Sequence, residues 1–471
     1  MVHALRSRRV VTPEGERDAV VVIESERIVA VTSAAEAPHD VSFEDLGEVA
    51  LLPGLVDGHT HINEPGRTEW EGFATATRAA AAGGFTTIVD MPLNCLPETT
   101  DVRALELKRD AARSGGPEGT AQCMVDYALW GGCVDGNQAQ LEPLAAAGVA
   151  GFKSFLIYPG CDGFTAIDRE NLELALPHIV RTGLPLLVHA ELEAPIQAAF
   201  ARLERDGADW RRYATYLASR PDEAELEAIA MLINLCRQYK FRLHIVHLST
   251  AKALGMIRAA KLEGLPLTVE TCPHYLHCAA EEIEDGATLF KCAPPIRGRE
   301  SRELLWAALL DGTLDLIATD HSPCPPAMKR LTATQPGEEA GRFDQAWGGI
   351  ASLSTALSVV WTEAGRRGAS LAQVARWMSA APAKLAGIDA LVGSIEVGKH
   401  ANLVALDADA SFVVSPEKLH YRHAISPYMG ETLRGVVQAT WLRGQRVFDG
   451  QGFPAAARGR EYTISCALQR A

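Results

Sequence analysis

A chain of 471 residues, 47% hydrophobic and 22% charged, has the make-up of a soluble globular protein with a large core. Its net charge of −14 excludes general affinity for nucleic acid or anionic membranes, both of which need positive potential. Ten cysteines without a CxxC pair exclude a dense disulfide framework and fit reduced thiols in the cytoplasm.

Residues 1–50 alternate apolar and polar side chains, as in "VVVIESERIVAV". The pattern predicts short strands and leaves no long apolar run for a signal peptide. No stretch approaches the roughly 18 apolar residues of a membrane span. From residue 51 a rhythm sets in. Eight short β-rich runs recur: "LLPGLVDGHTH", "FTTIVDMP", "MVDYALWGG", "VAGFKSFLI", "LPLLVHAE", "FRLHIVHLS", "LPLTVETCPHYL" and "LDLIATDHSP". Segments of helical composition separate them, such as "WEGFATATRAAAAGG" and "DEAELEAIAMLINLCRQY", and several close in glycine. Strands alternating with helices predict a parallel sheet, and eight repeats predict an α/β fold closed into a (β/α)8 TIM-like barrel over residues 51–392. A doubly wound sheet would place a glycine-rich phosphate loop after its first strand; here that strand runs into His-Thr-His. Residues 393–471 lose the rhythm. "GSIEVGKHANLVALDADASFVV" and "LRGVVQATWLRGQRVFDG" predict strands between turns, which join residues 1–50 in a small β-sandwich domain built from both chain termini.

Barrel chemistry collects at the C-terminal ends of strands. The first run ends in His59 and His61, whose spacing of two puts both on one face of a strand. The fourth run holds Lys153, the fifth ends in His189, the sixth in His247 and the eighth in Asp320. His244 and His247 differ in parity, so one of them is expected to face the barrel axis; His247 lies nearer the strand's end. His274, His277 and His321 read as supporting or structural residues. Any single histidine here is more often a satisfied core residue than a ligand. Together, four imidazoles and a carboxylate suit Zn²⁺ or another first-row divalent ion, and they exceed the needs of one tetrahedral zinc, which suggests two ions.

Lys153 lies in an apolar run, residues 148–157, whose only other polar side chain is Ser154. An ammonium buried there is costly unless compensated. Either it snorkels to the rim or pairs with an acid, or its neutral amine takes up CO2. The resulting carbamate has two oxygens that would bridge two ions about 3.5–4 Å apart. The surrounding ligand candidates favour the second reading.

The motifs "LLPGLVDGHTHINEPG", "GFKSF", "HAE", "HIVHLST", "ATDHSPC" and "GSIEVGKHANLVALD" resemble those of the amidohydrolase superfamily over essentially the whole chain. The resemblance is to its cyclic-amidohydrolase branch of dihydropyrimidinases, hydantoinases, allantoinases and dihydroorotases. It implies a metal-bearing barrel beside a small β domain. It also implies His59, His61 and Asp320 on the more buried ion, His189 and His247 on the second, carboxylated Lys153 across both, and Asp320 as the catalytic proton carrier.

Asn63 stands where dihydroorotases carry an arginine that grips the substrate carboxylate, which weakens that reading. "HINEPGRTEWEG", "DMPLN", "KCAPPIR", "ATDHSPCPP", "AWGGIASL" and "YRHAISPYMG" are similar to allantoinase motifs. They imply opening of a small-molecule cyclic ureide, allantoin, to allantoate in purine catabolism. Asn94, in "DMPLN", is a candidate substrate contact or a turn cap. Tyr158 stands where hydantoinases and dihydropyrimidinases carry a tyrosine that allantoinases commonly lack, and it keeps 5-substituted hydantoins or dihydropyrimidines open as alternative substrates. Ring recognition by backbone groups in the branch maps to Ala293 and Trp347. Relatives are commonly tetramers, so a homo-oligomer is expected, with neither nucleic acid nor membrane as a partner. The rival from another class is a non-catalytic scaffold on the same fold. Such proteins typically lose ligands, and all six candidate positions are filled here.

Overall fold

The computed structural model describes residues 2–37, 41, 43–116, 121–333 and 339–465. Each of the eight predicted runs contributes a strand: β1 (Leu55–Thr60), β2 (Phe85–Asp90), β3 (Asp126–Leu129, resuming at Gly131–Gly132), β4 (Phe152–Phe155), β5 (Leu186–His189), β6 (Leu243–Ile245), β7 (Leu267–Thr271) and β8 (Leu316–Ile317). Every neighbouring pair is parallel. The break in β3 falls at Trp130, whose indole N–H donates to the Gly58 carbonyl at 2.9 Å. The ring closes where Thr60 bridges His321 in parallel and the His61 N–H reaches the His321 carbonyl at 2.8 Å. Strands covered on both faces carry near-continuous apolar runs, which is why "LLVH" and "FTTIVD" lack a strict alternation.

Local chemistry sets the helix boundaries. Asp101 and Asp168 cap helices Val102–Ser114 and Arg169–Thr182, each accepting from the amide three residues on. Gly183 and Gly312 end helices in the left-handed region, at φ 68° and 82°, where a Cβ would be strained.

The two ends of the chain meet in one eight-stranded mixed sheet. Its order runs Gln445–Phe448, Thr432–Leu442, Leu403–Val413, Ala50–Pro53, Val2–Thr12, Gly15–Glu24, Arg27–Thr32, with Phe43–Asp45 added alongside Val2–Thr12. Register shifts between Ser7 and Val10, Val22 and Ile23, and Asp407 and Ser411 bend the strands. The sheet encloses its own core, including Leu5, Val21, Ile28, Leu51, Leu403 and Trp441. Asp126 on β3 anchors it to the barrel, accepting from the Arg443 guanidinium and, at 2.8 Å each, from the Arg460 amide and the Tyr462 hydroxyl. No helix among the described residues is long and apolar enough to cross a membrane.

Candidate metal centre

Five barrel strands deliver the candidate ligands to one end of the barrel. His59 lies on β1 and His61 just past it; Lys153 is on β4, His189 ends β5, His247 follows β6 and Asp320 follows β8. All six are buried. One Asp320 oxygen lies 3.2 Å from His59 Nε2 and 3.4 Å from His61 Nε2. Donor atoms of these three residues fall within 4.8 Å of one another. Across from them, His189 Nδ1 and His247 Nε2 are 2.9 Å apart. The His59 ring stands 5.4 Å from the rings of both His61 and His247, so the two groups adjoin.

Backbone strain marks the same place. His247 and Asp320 take φ values of 38° and 45°, a conformation costing non-glycine residues about 1–3 kcal/mol. At His247 it has a further effect. β6 stops at Ile245, so the two-residue alternation does not extend to position 247. Parity therefore does not set the direction of His247: its ring meets His189 Nδ1 at 2.9 Å, while the His244 side chain reaches Glu270 at 2.9 Å.

Lys153 Nζ is fully buried, 4.7 Å from the centre of the Phe155 ring, and has no hydrogen-bond partner among the described residues. Burial pushes its ammonium down to about 7 against the opposing pull of Glu270 and Asp320. His247 Nδ1 is also buried without a partner among the described residues. Such orphaned nitrogens cost free energy unless a cation or a covalent change takes them up. With four imidazoles and a carboxylate converging beside them, the donor set fits first-row divalent ions.

Two carboxylates orient the imidazoles. His59 Nδ1 donates to Glu270 at 2.6 Å, which turns Nε2 towards Asp320. The same carboxylate accepts from His244 Nε2 at 2.9 Å and the His247 amide at 3.1 Å. His189 is turned the other way. Its Nε2 donates to Glu191 at 2.7 Å, which leaves Nδ1 facing His247. Arg220 grips Glu191 with two bonds, at 2.6 and 3.1 Å. Burial alone would raise both acids, but the facing His59 and His244, and Arg220 and His189, hold them well below the carboxylate range. Asp320 is likewise held to about 2 by His59 and His61 in spite of its burial. Glu270 and Glu191 carry little signal in the sequence, where each is a lone acid at the end of an apolar run. Their only signal is "HAE" and the even spacing of Thr268 and Glu270.

A cavity of about 450 Å³ opens over this centre, and Asn94, Tyr158, Ala293 and Trp347 all line it. Asn94 Nδ2 lies 3.3 Å from His61 Nδ1, while its Oδ1 is buried without a partner among the described residues. Tyr158 is 56% exposed at the rim and donates its hydroxyl to Asp162 at 2.6 Å. The Trp347 amide donates to the Met328 carbonyl at 2.8 Å, its carbonyl accepts from Lys329 at 3.1 Å, and its indole N–H is buried without a partner among the described residues. Lys329 also donates to the carbonyls of Lys291 and Gly349, which ties the loops after β7 and β8 together. Of the other histidines, His321 accepts from the Ser352 amide at 3.1 Å, and His274 is buried beside Asp320 with neither ring nitrogen paired among the described residues. His277 stands apart, between Glu363 and Glu431.

Comparison with known proteins agrees with this geometry. The allantoinase of Streptomyces avermitilis is 48% identical over 95% of this chain and 96% of its own length. That of Arabidopsis thaliana is 41% identical over 95% and 88%. Among solved structures, L-hydantoinase (dihydropyrimidinase) from Arthrobacter aurescens is similar with a TM-score of 0.90 at 30% identity, covering 98% of this chain and 100% of that one. Dihydropyrimidinase from Brevibacillus agri follows at 0.86 and 29%, covering 99% and 100%. The model of the amidohydrolase family matches residues 50–447. With that match running from the strand before β1 to the last strand of the terminal sheet, the chain belongs to the amidohydrolase family.

Proposed function

We propose that this chain hydrolyses the hydantoin ring of allantoin to allantoate. The observation that carries the reading is a buried, unpartnered Lys153 amine among four imidazoles and Asp320, in a chain 48% identical along nearly its whole length to an allantoinase. His59, His61 and Asp320 would hold one divalent ion, zinc by the chemistry of the donor set, and His189 and His247 a second, with Lys153 as a carbamate between them. Bound ions of this kind supply Lewis-acid polarisation of the scissile carbonyl and a water acidified towards neutral pH.

Asp320, ionised and beside His59 and His61, takes the proton released as water attacks the ring carbonyl. It returns that proton to the departing ring nitrogen, opening the ring to a ureido acid. Proton transfer of this kind is worth about 10²–10⁴-fold in rate. Asn94 and the Trp347 indole N–H offer unsatisfied polar atoms to the ring or its ureido arm. A homotetramer in the cytoplasm is part of the same reading, as is a division into a barrel of residues 51–392 and a domain of residues 1–50 with 393–471.

A second reading, action on 5-substituted hydantoins or dihydropyrimidines, is favoured by Tyr158 at the rim and by the hydantoinase-like structures. Side-by-side assay of allantoin, hydantoin, dihydrouracil and dihydroorotate separates the two. Allantoin should be the preferred substrate by kcat/KM, and faster turnover of dihydrouracil would reverse the assignment.

A further inference from the structure

The opposite end of the barrel carries a second cavity, about 620 Å³, larger than the one over the candidate ligands. It is bounded by the first residues of β6, β7 and β8 and by residues 376–385, where a π-helical turn opens at Arg376. Three cations line it: Arg242, Arg376 and Lys384. Among the described residues, the exposed Arg376 and Lys384 side chains have no hydrogen-bond or ion-pair partner, and the Arg242 guanidinium, also exposed, has only the Gly183 carbonyl at 3.5 Å. The acid in the lining, Asp315, is committed to Lys261 at 2.5 Å and to the Val269 amide at 2.7 Å. Asp389 acts on Arg242 from outside the lining. In a chain of net charge −14, uncommitted positive charge gathered around a cavity runs against the composition.

The wall of this cavity is wired to the catalytic end. Thr268 lines it, and its hydroxyl lies 2.8 Å from His244 Nδ1. His244 Nε2 donates to Glu270 at 2.9 Å, and Glu270 accepts from His59 Nδ1 at 2.6 Å. In the tautomer that keeps the His244 proton on Nε2 for the Glu270 carboxylate, Nδ1 accepts the Thr268 proton. A hydroxyl has one proton to give. An anion seated among the three cations would compete for it.

We infer that the cavity at the barrel base binds a small anion with two or more charged oxygens, a carboxylate or a phosphate. Its occupancy is read at the catalytic mouth through Thr268, His244 and Glu270. Charge-assisted bonds from two guanidinium groups and an ammonium suit such a ligand. The coupling is reciprocal, so bound substrate shifts anion affinity by the same factor.

Titration calorimetry of the metal-loaded full chain at fixed ionic strength, with sodium phosphate in one arm and sodium succinate in the other, tests the site. One saturable site per chain is expected, at least tenfold weaker in the Arg376→Gln/Lys384→Gln double variant, which leaves basal turnover unchanged. Saturation in one arm alone identifies which of the two oxyanion chemistries the site takes. Saturating anion should shift kcat or KM at least twofold, and Thr268→Val should bind it without that shift. No saturable heat in either arm overturns the site. So does equal affinity in the double variant, as binding at the mouth would give. A kinetic shift that survives in Thr268→Val overturns the coupling. Heat of binding does not depend on which ring is cleaved, so the substrate assignment and this site stand or fall separately.

Discussion

Lys153→Ala removes a buried nitrogen without removing anything that it visibly holds in place. The expected cost is therefore metal and activity, not fold. Metal analysis should show loss of the bridged pair of ions, with partial recovery of turnover in millimolar short-chain carboxylic acid; unchanged metal content would remove the carbamate from the mechanism. Glu270→Gln keeps the shape but weakens acceptance from His59 and His244. Metal affinity should fall about 10–100-fold, measured by competition with a chromophoric chelator. At this scale the sequence speaks unevenly. Histidines at strand ends and a lysine inside an apolar strand stand out because few structural needs put them there. Glu270 does not, because an acid closing an apolar run looks the same whether it faces water or an imidazole.

Elements were legible wherever burial imposed a period. All eight strands fall inside the quoted runs, since a strand covered on both faces must be apolar throughout. Their ends were less legible. β6 stops at Ile245 because His247 leaves the strand at positive φ, a backbone choice that no side-chain pattern announces. Another buried tie joins two elements: Lys108 of helix Val102–Ser114 donates to Asp90 at the end of β2 at 2.5 Å and to the Met91 carbonyl at 2.7 Å. The other Asp90 oxygen accepts from the Ile62 amide at 2.8 Å, next to His61. Lys108→Met alone strands that carboxylate, at a cost of about 3–5 kcal/mol. Urea denaturation should show that loss, and Asp90→Asn in the same chain should restore most of it, because an amide needs no counter-charge.

Across the whole molecule, His277 pins three bodies together. It follows β7, and its two nitrogens lie 3.2 Å from Glu363 on helix Ala356–Arg366 and 2.7 Å from Glu431 beside the terminal sheet. Burial alone would lower this imidazole, but the two carboxylates raise it to about 9. A raised folded value means that its contribution is complete below pH 6.5, shrinks as pH climbs, and is gone above about 9, with an upper bound of about 3 kcal/mol. The Tm difference between wild type and His277→Gln should accordingly narrow from pH 6 to pH 10; a constant difference would make the tie purely steric. The pairing of the two chain ends was readable from their shared β composition. The cationic cavity was not, because Arg242, Thr268, Arg376 and Lys384 become neighbours only once the barrel has closed.

The mixed sheet has a consequence for synthesis. Leu51 and Leu52 pair with Ala405 and Val404, residues made about 350 positions later. While the ribosome works through the barrel, the first strands have an open margin and no partner for it. Closing so long a loop costs little extra entropy but takes time. Until the last strands emerge, that margin is where a nascent chain is most open to joining another copy of itself or to capture by a chaperone.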